Sequence, residues 1–240
     1  MLDYNFEWSI LWSQTYGPWL LKGIWTTIHL SLLAWVIGSM LGLMVALARL
    51  APYRVVRFAG GAYVQVFRNI PLLVQMFFWY FAVPALLPRE MGRWLNHEVP
   101  HLGYYCGVVC LGTYTASRVA EVIRSGFLAV PKGVTMAALA TGLSPWNTYR
   151  HVTIPYALRI SMPLLSNEIL SCFKNSALTM TIGVMETTGM AGLIDSFTFH
   201  GLETTTAASL VYLAITLCVV AAFARVEKKM RIPGLMERSN

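Results

Sequence analysis

Charge is what this chain lacks most. Only 12% of its 240 residues are Asp, Glu, Lys or Arg, against about 25% in a soluble domain. Cysteine is scarce too. Cys106, Cys110, Cys172 and Cys218 all sit inside apolar stretches, where a thiol packs as a small apolar group and no structural disulfide is expected. There is no Gly-Lys dipeptide, so the G-x-x-x-x-G-K-[ST] loop that cradles nucleotide phosphates is excluded, and no G-x-G-x-x-G occurs either. Acidic residues are spread singly, and no nucleophile motif stands out. The chain therefore does not read as an enzyme. The first residues carry Asp3 and Glu7 but no basic n-region, which argues against a cleavable signal peptide.

What is present is apolar. Hydrophobic residues make up 56% of the chain and the mean hydropathy is +0.57. A bilayer core takes about 20 apolar residues per helix, and five runs approach that length. Residues 24–48 form the first, with His29 as its one titratable group and Gly38 and Gly42 spaced for close helix packing. Residues 63–87 form the second, with Arg68 and Asn69 near its start and Pro71 and Pro84 as expected kinks. The third begins near Leu102 and passes through Arg118 and Glu121, and the fourth begins near Ile154 and carries Glu168. The fifth covers residues 204–224. Residues 176–199, broken by Gly183, Gly189 and Gly192, read as a re-entrant or outer-surface segment. The chain is thus expected to be an all-α membrane protein of about five transmembrane helices. Residues 1–20 form an outer interfacial segment with Trp8, Trp12 and Trp19 at headgroup depth. The membrane domain covers 21–226, and 227–240 is a cytoplasmic tail.

The net charge of +7 and pI near 9.4 fit this topology better than a nucleic-acid surface. Arg49, Arg54, Arg57, Lys132, Arg150 and the basic C-terminal residues fall on one side, and only Lys22, Arg89 and Arg93 on the other. Positive charge marks the cytoplasmic side, which places the N-terminus outside and the C-terminus inside. His97-Glu98-Val99-Pro100-His101 matches H-E-x-x-H, but Pro100 disfavours the single helical turn a zinc site needs, so no metal is expected there.

One cytoplasmic stretch, residues 131–155, is neither greasy enough to span nor plain loop. Met136, Leu139, Ala140 and Leu143 fall at helical spacing behind Thr135, a candidate cap. Gly142 suits the left-handed residue that ends a helix. Ser144-Pro145 reads as a second cap with proline in the first turn, and Pro155 marks the next apolar run. Ala137, Ala138, Gly142, Val152, Ile154 and Pro155 fit E-A-A-x3-G-x9-I-x-L-P, with Met136 in place of the Glu, Val152 in place of the Ile and Ile154 in place of the Leu. This resembles the coupling loop of permease subunits in ATP-binding-cassette importers. The likeness extends over F-R-N-I-P-L-L-V-Q, E-V-I-R-S-G, V-P-K-G and K-N-S-A-L, and is nearest to glutamate/aspartate permeases of the polar amino acid branch.

The resemblance implies a type I importer permease in a bacterial inner membrane. It implies a second permease subunit, identical or paralogous, two cytoplasmic ATPases gripping the hairpin through Ala137, Ala138, Gly142 and Pro155, and a periplasmic amino-acid-binding protein. ATP and magnesium would bind the ATPases, and no cofactor this chain. The ionisable residues at membrane depth are the candidate solute pathway: Arg118, Glu121 and Glu168, with Asn69 at its floor. Family members commonly carry an aromatic residue where this chain has Arg118, and a guanidinium holds a carboxylate through two parallel N–H bonds. Arg118 is therefore expected to favour glutamate or aspartate. The plainer alternatives are that Arg118 pairs with Glu121, that Glu168 pairs with Lys174, and that Asn69 is a capping amide. At the level of function, the alternative is an ion-coupled secondary carrier of amino acids.

Overall fold

The computed structural model describes residues 4–230, and every regular element among them is helical. A 3-10 turn at Trp8–Trp12 precedes α1 (Tyr16–Leu50), α2 (Arg54–Asn69), α3 (Leu72–Phe77), α4 (Val83–Leu86), α5 (Arg89–Glu98) and α6 (Leu102–Leu128). Then come α7 (Lys132–Ala140), α8 (Pro145–Thr148), α9 (Ile154–Asn175), α10 (Thr187–Thr198) and α11 (Gly201–Met230). π-helical turns at Phe78–Ala82 and Tyr149–Thr153 join α3 to α4 and α8 to α9, and a 3-10 stretch at Ser176–Ile182 prolongs α9. By length and composition α1 and α11 each suffice to cross a membrane, and counting three bent helix pairs as one span each brings the total to five. Residues 231–240 of the expected tail lie outside the described residues.

The frame is α1 laid along α6. A Cβ on Gly38 would sit 3.0 Å from the Gly112 carbonyl oxygen, and one on Gly42 would sit 2.8 Å from the Val119 side chain. On α6, a Cβ on Gly107 would meet Thr179 at 3.0 Å and Leu30 at 3.6 Å. Residue numbers rise together on the two helices, so they run parallel at backbone contact, as small residues permit in lipid. α9 runs antiparallel to α6. Ser161 reaches the Val122 carbonyl near one end, Arg118 meets Glu168 midway, and the Cys172 thiol reaches the Ser31 carbonyl of α1 further along. Leu30, Ala34, Leu111, Cys110 and Cys172 are buried between these three helices. The bundle has two ends: one carries residues 4–16 and α10, the other carries the α6–α7–α8 connection.

Several expected boundaries move. The second span is not one kinked helix. α2 starts at Arg54, and the chain turns by 103° between Asn69 and Leu72. Pro71 supplies no N–H, so the last carbonyls of α2 lose their partners. Gln75, 5% exposed, satisfies two of them, donating to Phe67 at 2.9 Å and Ile70 at 2.8 Å. The stretch holding the H-E-x-x-H match is largely helix, but α5 ends at Glu98, Val99 is extended and His101 is left-handed at φ 57°, so His97 and His101 do not share a helical turn. Trp19 lies inside α1, not before it. Residues 176–199 form two helical pieces with a bend of 46° between them, at the end of the bundle that carries residues 4–16. The 3-10 stretch ends at left-handed Gly183, and α10 then runs beside the first turns of α1, with Met190 against Gly23 and Phe197 against Trp19.

Candidate functional site

Two places were marked by sequence, the ionisable residues of the spans and the hairpin. In the first, the expected Arg118–Glu121 pair is not formed. Arg118 and Glu168 pair across the α6–α9 seam instead, with Nη2 3.0 Å from Oε1 and Nε on Oε2, a two-point fork on a buried carboxylate. The physical reason is direction. Glu168 approaches α6 from the facing helix at the height of Arg118, whereas Glu121, one turn on, is held by others. Arg49 at the end of α1 and Arg124 on α6 bind Glu121, the latter at 2.6 Å, and Arg68 of α2 stands 3.8 Å away. Glu121 thus ties three helices together rather than orienting Arg118. The Arg118 guanidinium also lies 6.0 Å from the Tyr114 ring centroid. Its side chain stays 37% exposed, and neither contact with Glu168 uses Nη1.

Lys174 is exposed and, among the described residues, has no carboxylate within 4.0 Å, so the expected Glu168–Lys174 pair is absent. Asn69 is exposed at the end of α2 and donates to Gln65 at 3.0 Å. The amide that caps the broken helix is Gln75, not Asn69. Glu121 is thus met by three arginines (Arg49, Arg68, Arg124), whereas Glu168 is met by Arg118 alone. The three arginines about Glu121 were missed in sequence because Arg49 and Arg68 sit at helix ends, where positive charge already had a topological explanation.

Glu186 was also missed. It is wholly buried. Its carboxylate caps α10 by accepting the Thr188 and Gly189 N–H groups at 2.9 and 2.8 Å, and it accepts hydroxyls from Tyr212 of α11 and Thr27 of α1. No sequence pattern announces such a hub, because its partners lie 26 and 159 residues away.

The hairpin forms as two short helices, the first of them turned 55° from α6. α7 starts at Lys132 behind Pro131, with no side-chain cap, so Thr135 sits inside the helix and does not begin it. Gly142 is left-handed at φ 86°, and Ser144 caps α8 by accepting the Asn147 N–H at 3.3 Å, as the spacing suggested. α8 passes through the π turn into α9 without a stop, so Pro155 lies within a continuous helix. Phe127 stacks on Tyr149 with ring centroids 6.0 Å apart, fastening the hairpin to the end of α6. Met136 and Trp146 are 63% and 65% exposed, Ala137 and Gly142 are exposed, and Ala138 is half-buried. An apolar stripe therefore projects away from the bundle.

Comparison with known proteins agrees with this architecture. Residues 38–232 match the family model of the binding-protein-dependent transport system inner membrane component. The glutamate/aspartate import permease protein GltJ of Escherichia coli K12 is 37% identical over 98% of this chain and 99% of its own length. The glutamine transport system permease protein GlnP of the same organism is 31% identical over 95% and 99%. A crystal structure of an amino acid ABC transporter superposes with a TM-score of 0.81 at 27% identity, covering 94% of this chain and all of that one. The chain belongs to the binding-protein-dependent inner membrane permeases, as a membrane-spanning subunit of an ABC importer of polar amino acids.

Proposed function

We propose that the imported solute is an acidic amino acid, glutamate or aspartate, and that Arg118 and Lys174 receive its carboxylates. The observation that carries this is the open edge of Arg118, held by Glu168 through Nε and Nη2 alone, with Lys174 further along the helix that bears Glu168. Ionised side chains are costly in lipid and face a wet cavity or a partner. Glu168 holds the Arg118 fork still, leaving Nη1 for a solute carboxylate, and Lys174 offers an ammonium that meets no carboxylate among the described residues, on the same helix as Glu168. The 37% identity to GltJ supports the same reading, and the likeness to the glutamine permease leaves the charge as the deciding feature.

In this reading the end bearing the N-terminus faces the periplasm and receives a binding protein, and the hairpin faces the cytoplasm. Two such permeases, identical or paralogous, enclose the pathway. Separate ATPases bind ATP and magnesium and grip Ala137, Ala138, Gly142 and Pro155. Their closure moves the hairpins together, and the stacked Phe127–Tyr149 contact passes the displacement into α6. This chain hydrolyses nothing.

The test is uptake by the reconstituted transporter in proteoliposomes, with glutamate and glutamine compared. Arg118→Tyr should lower glutamate uptake relative to glutamine at least tenfold, the loss of about 1.4 kcal/mol of carboxylate recognition. An unchanged ratio with normal insertion and ATP turnover rejects the proposal.

A further inference from the structure

The N-terminal segment is fastened to α11 by a carboxylate that the solute pathway does not use. Glu203, in the first turn of α11, is wholly buried. It accepts from the Tyr4 hydroxyl and from the Glu7 backbone N–H at 2.8 Å. His200 stands between two carboxylates. Its Nδ1 is 3.3 Å from Glu203 Oε1, and its Nε2 is 3.7 Å from Glu7 Oε2. The Tyr4 ring meets the imidazole edge-on at 6.1 Å. Among the described residues, Asp195 of α10 also stands in the neighbourhood, its carboxylate 3.1 Å from where a Cβ on Gly201 would stand. Among the described residues, no Lys or Arg lies within 4.0 Å of Glu7 or Glu203.

A neutral imidazole has one N–H and one lone pair, whereas the imidazolium has two N–H groups. Between two carboxylates the neutral ring satisfies one and turns its lone pair on the other. His200 Nδ1 is in fact buried without a well-aligned hydrogen bond. Only the charged ring has a donor for each side, and among the described residues no Lys or Arg is at hand to replace it.

We propose that residues 4–7 are a proton-dependent strap, held onto α11 when His200 is charged and loosened when it is neutral. Glu203 is the fixed post, because it is buried in the first turn of α11. Glu7 is the releasable end, because its side chain is 58% exposed. The following 3-10 turn packs on both α1 and α11, so the strap ties the starts of these two helices together. Imidazoles change charge between about pH 5 and 8. The charged ring holds the strap better than the neutral one, so the hold is stronger on the acid side than on the alkaline side.

Hydrogen–deuterium exchange over residues 4–12 tests this, with the purified transporter in nanodiscs and rates corrected for intrinsic pH dependence. Protection of the wild type should fall about fivefold from roughly pH 5.5 to 8.5, the factor expected for one modest ionic contact. His200→Asn should flatten the profile. Glu7→Gln, at an exposed position that does not threaten folding, should flatten it at least in part. A flat wild-type profile, or an undiminished slope in both variants, overturns the proposal. Uptake is not the readout, so this result stands or falls apart from the choice of solute.

Discussion

Arg118 and Glu168 lie 50 residues apart in sequence and meet through a two-point fork where α6 crosses α9. This pair joins packing to function. The carboxylate is nearly buried while the guanidinium keeps an open edge. Removing Glu168 should leave an unbalanced guanidinium in the seam. Glu168→Ala is expected to cost about 1–3 kcal/mol, less than a fully buried pair because Arg118 is partly exposed. Combining it with Arg118→Gln should recover part of the loss. Thermal unfolding of the four variants in detergent, read as a double-mutant cycle, measures the coupling, and simple additivity would refute it.

The α1–α6 seam predicts a sharp contrast between two glycines. A methyl group at Gly42 would stand 2.8 Å from Val119 and 2.9 Å from the Ala116 carbonyl. Gly42→Ala should therefore destabilise by about 1–3 kcal/mol. Gly61 of α2 has nothing within 4 Å of the same position, so Gly61→Ala should be neutral or slightly stabilising, by up to about 1 kcal/mol. Melting temperatures of the two variants side by side decide this.

Gly142 predicts a defect of a different kind. Its φ of 86° is strained for any other residue, at about 1–2 kcal/mol. The turn lies at the exposed tip of the hairpin, away from the core. Gly142→Ala should leave insertion and melting of the bundle nearly unchanged while reducing uptake per ATP hydrolysed by the reconstituted transporter. Gly133→Ala, in α7 with open space around it, is the control and should change neither quantity.

Glu186 joins α1, α10 and α11 through four accepted hydrogen bonds. Glu186→Ala should destabilise by about 2–4 kcal/mol, since it removes a helix cap and takes away the acceptor of the Tyr212 hydroxyl. Tyr212→Phe should cost about 1 kcal/mol alone and almost nothing in the Glu186→Ala background. Denaturation of the single and double variants is the measurement.

The spans were legible because apolar length is a local property of sequence. Gly38 and Gly42 announced a close helix contact, and Gly142 and Ser144-Pro145 announced the elbow. What stayed hidden depended on residues far apart in the chain. Nothing local says that Glu168 and not Glu121 meets Arg118, because α9 must first be laid antiparallel to α6. Gln75 as the cap of a helix ending six residues earlier, and Glu186 as a three-helix hub, are likewise facts of assembly. α5 escaped notice for another reason: its charges matched a solvated loop as well as a solvated helix face.

The glycine-lined contact between α1 and α6 has a mechanical meaning. Two parallel rods touching backbone to backbone cannot slide without steric collision, so they behave as a single stiff beam roughly as long as the membrane is thick. A tug on the Leu128 end is then felt at Leu102 undiminished, and whatever flexes during a transport stroke must be sought where no such interlock exists, at the right-angled joint after Asn69 and along the sparsely covered flank of α11.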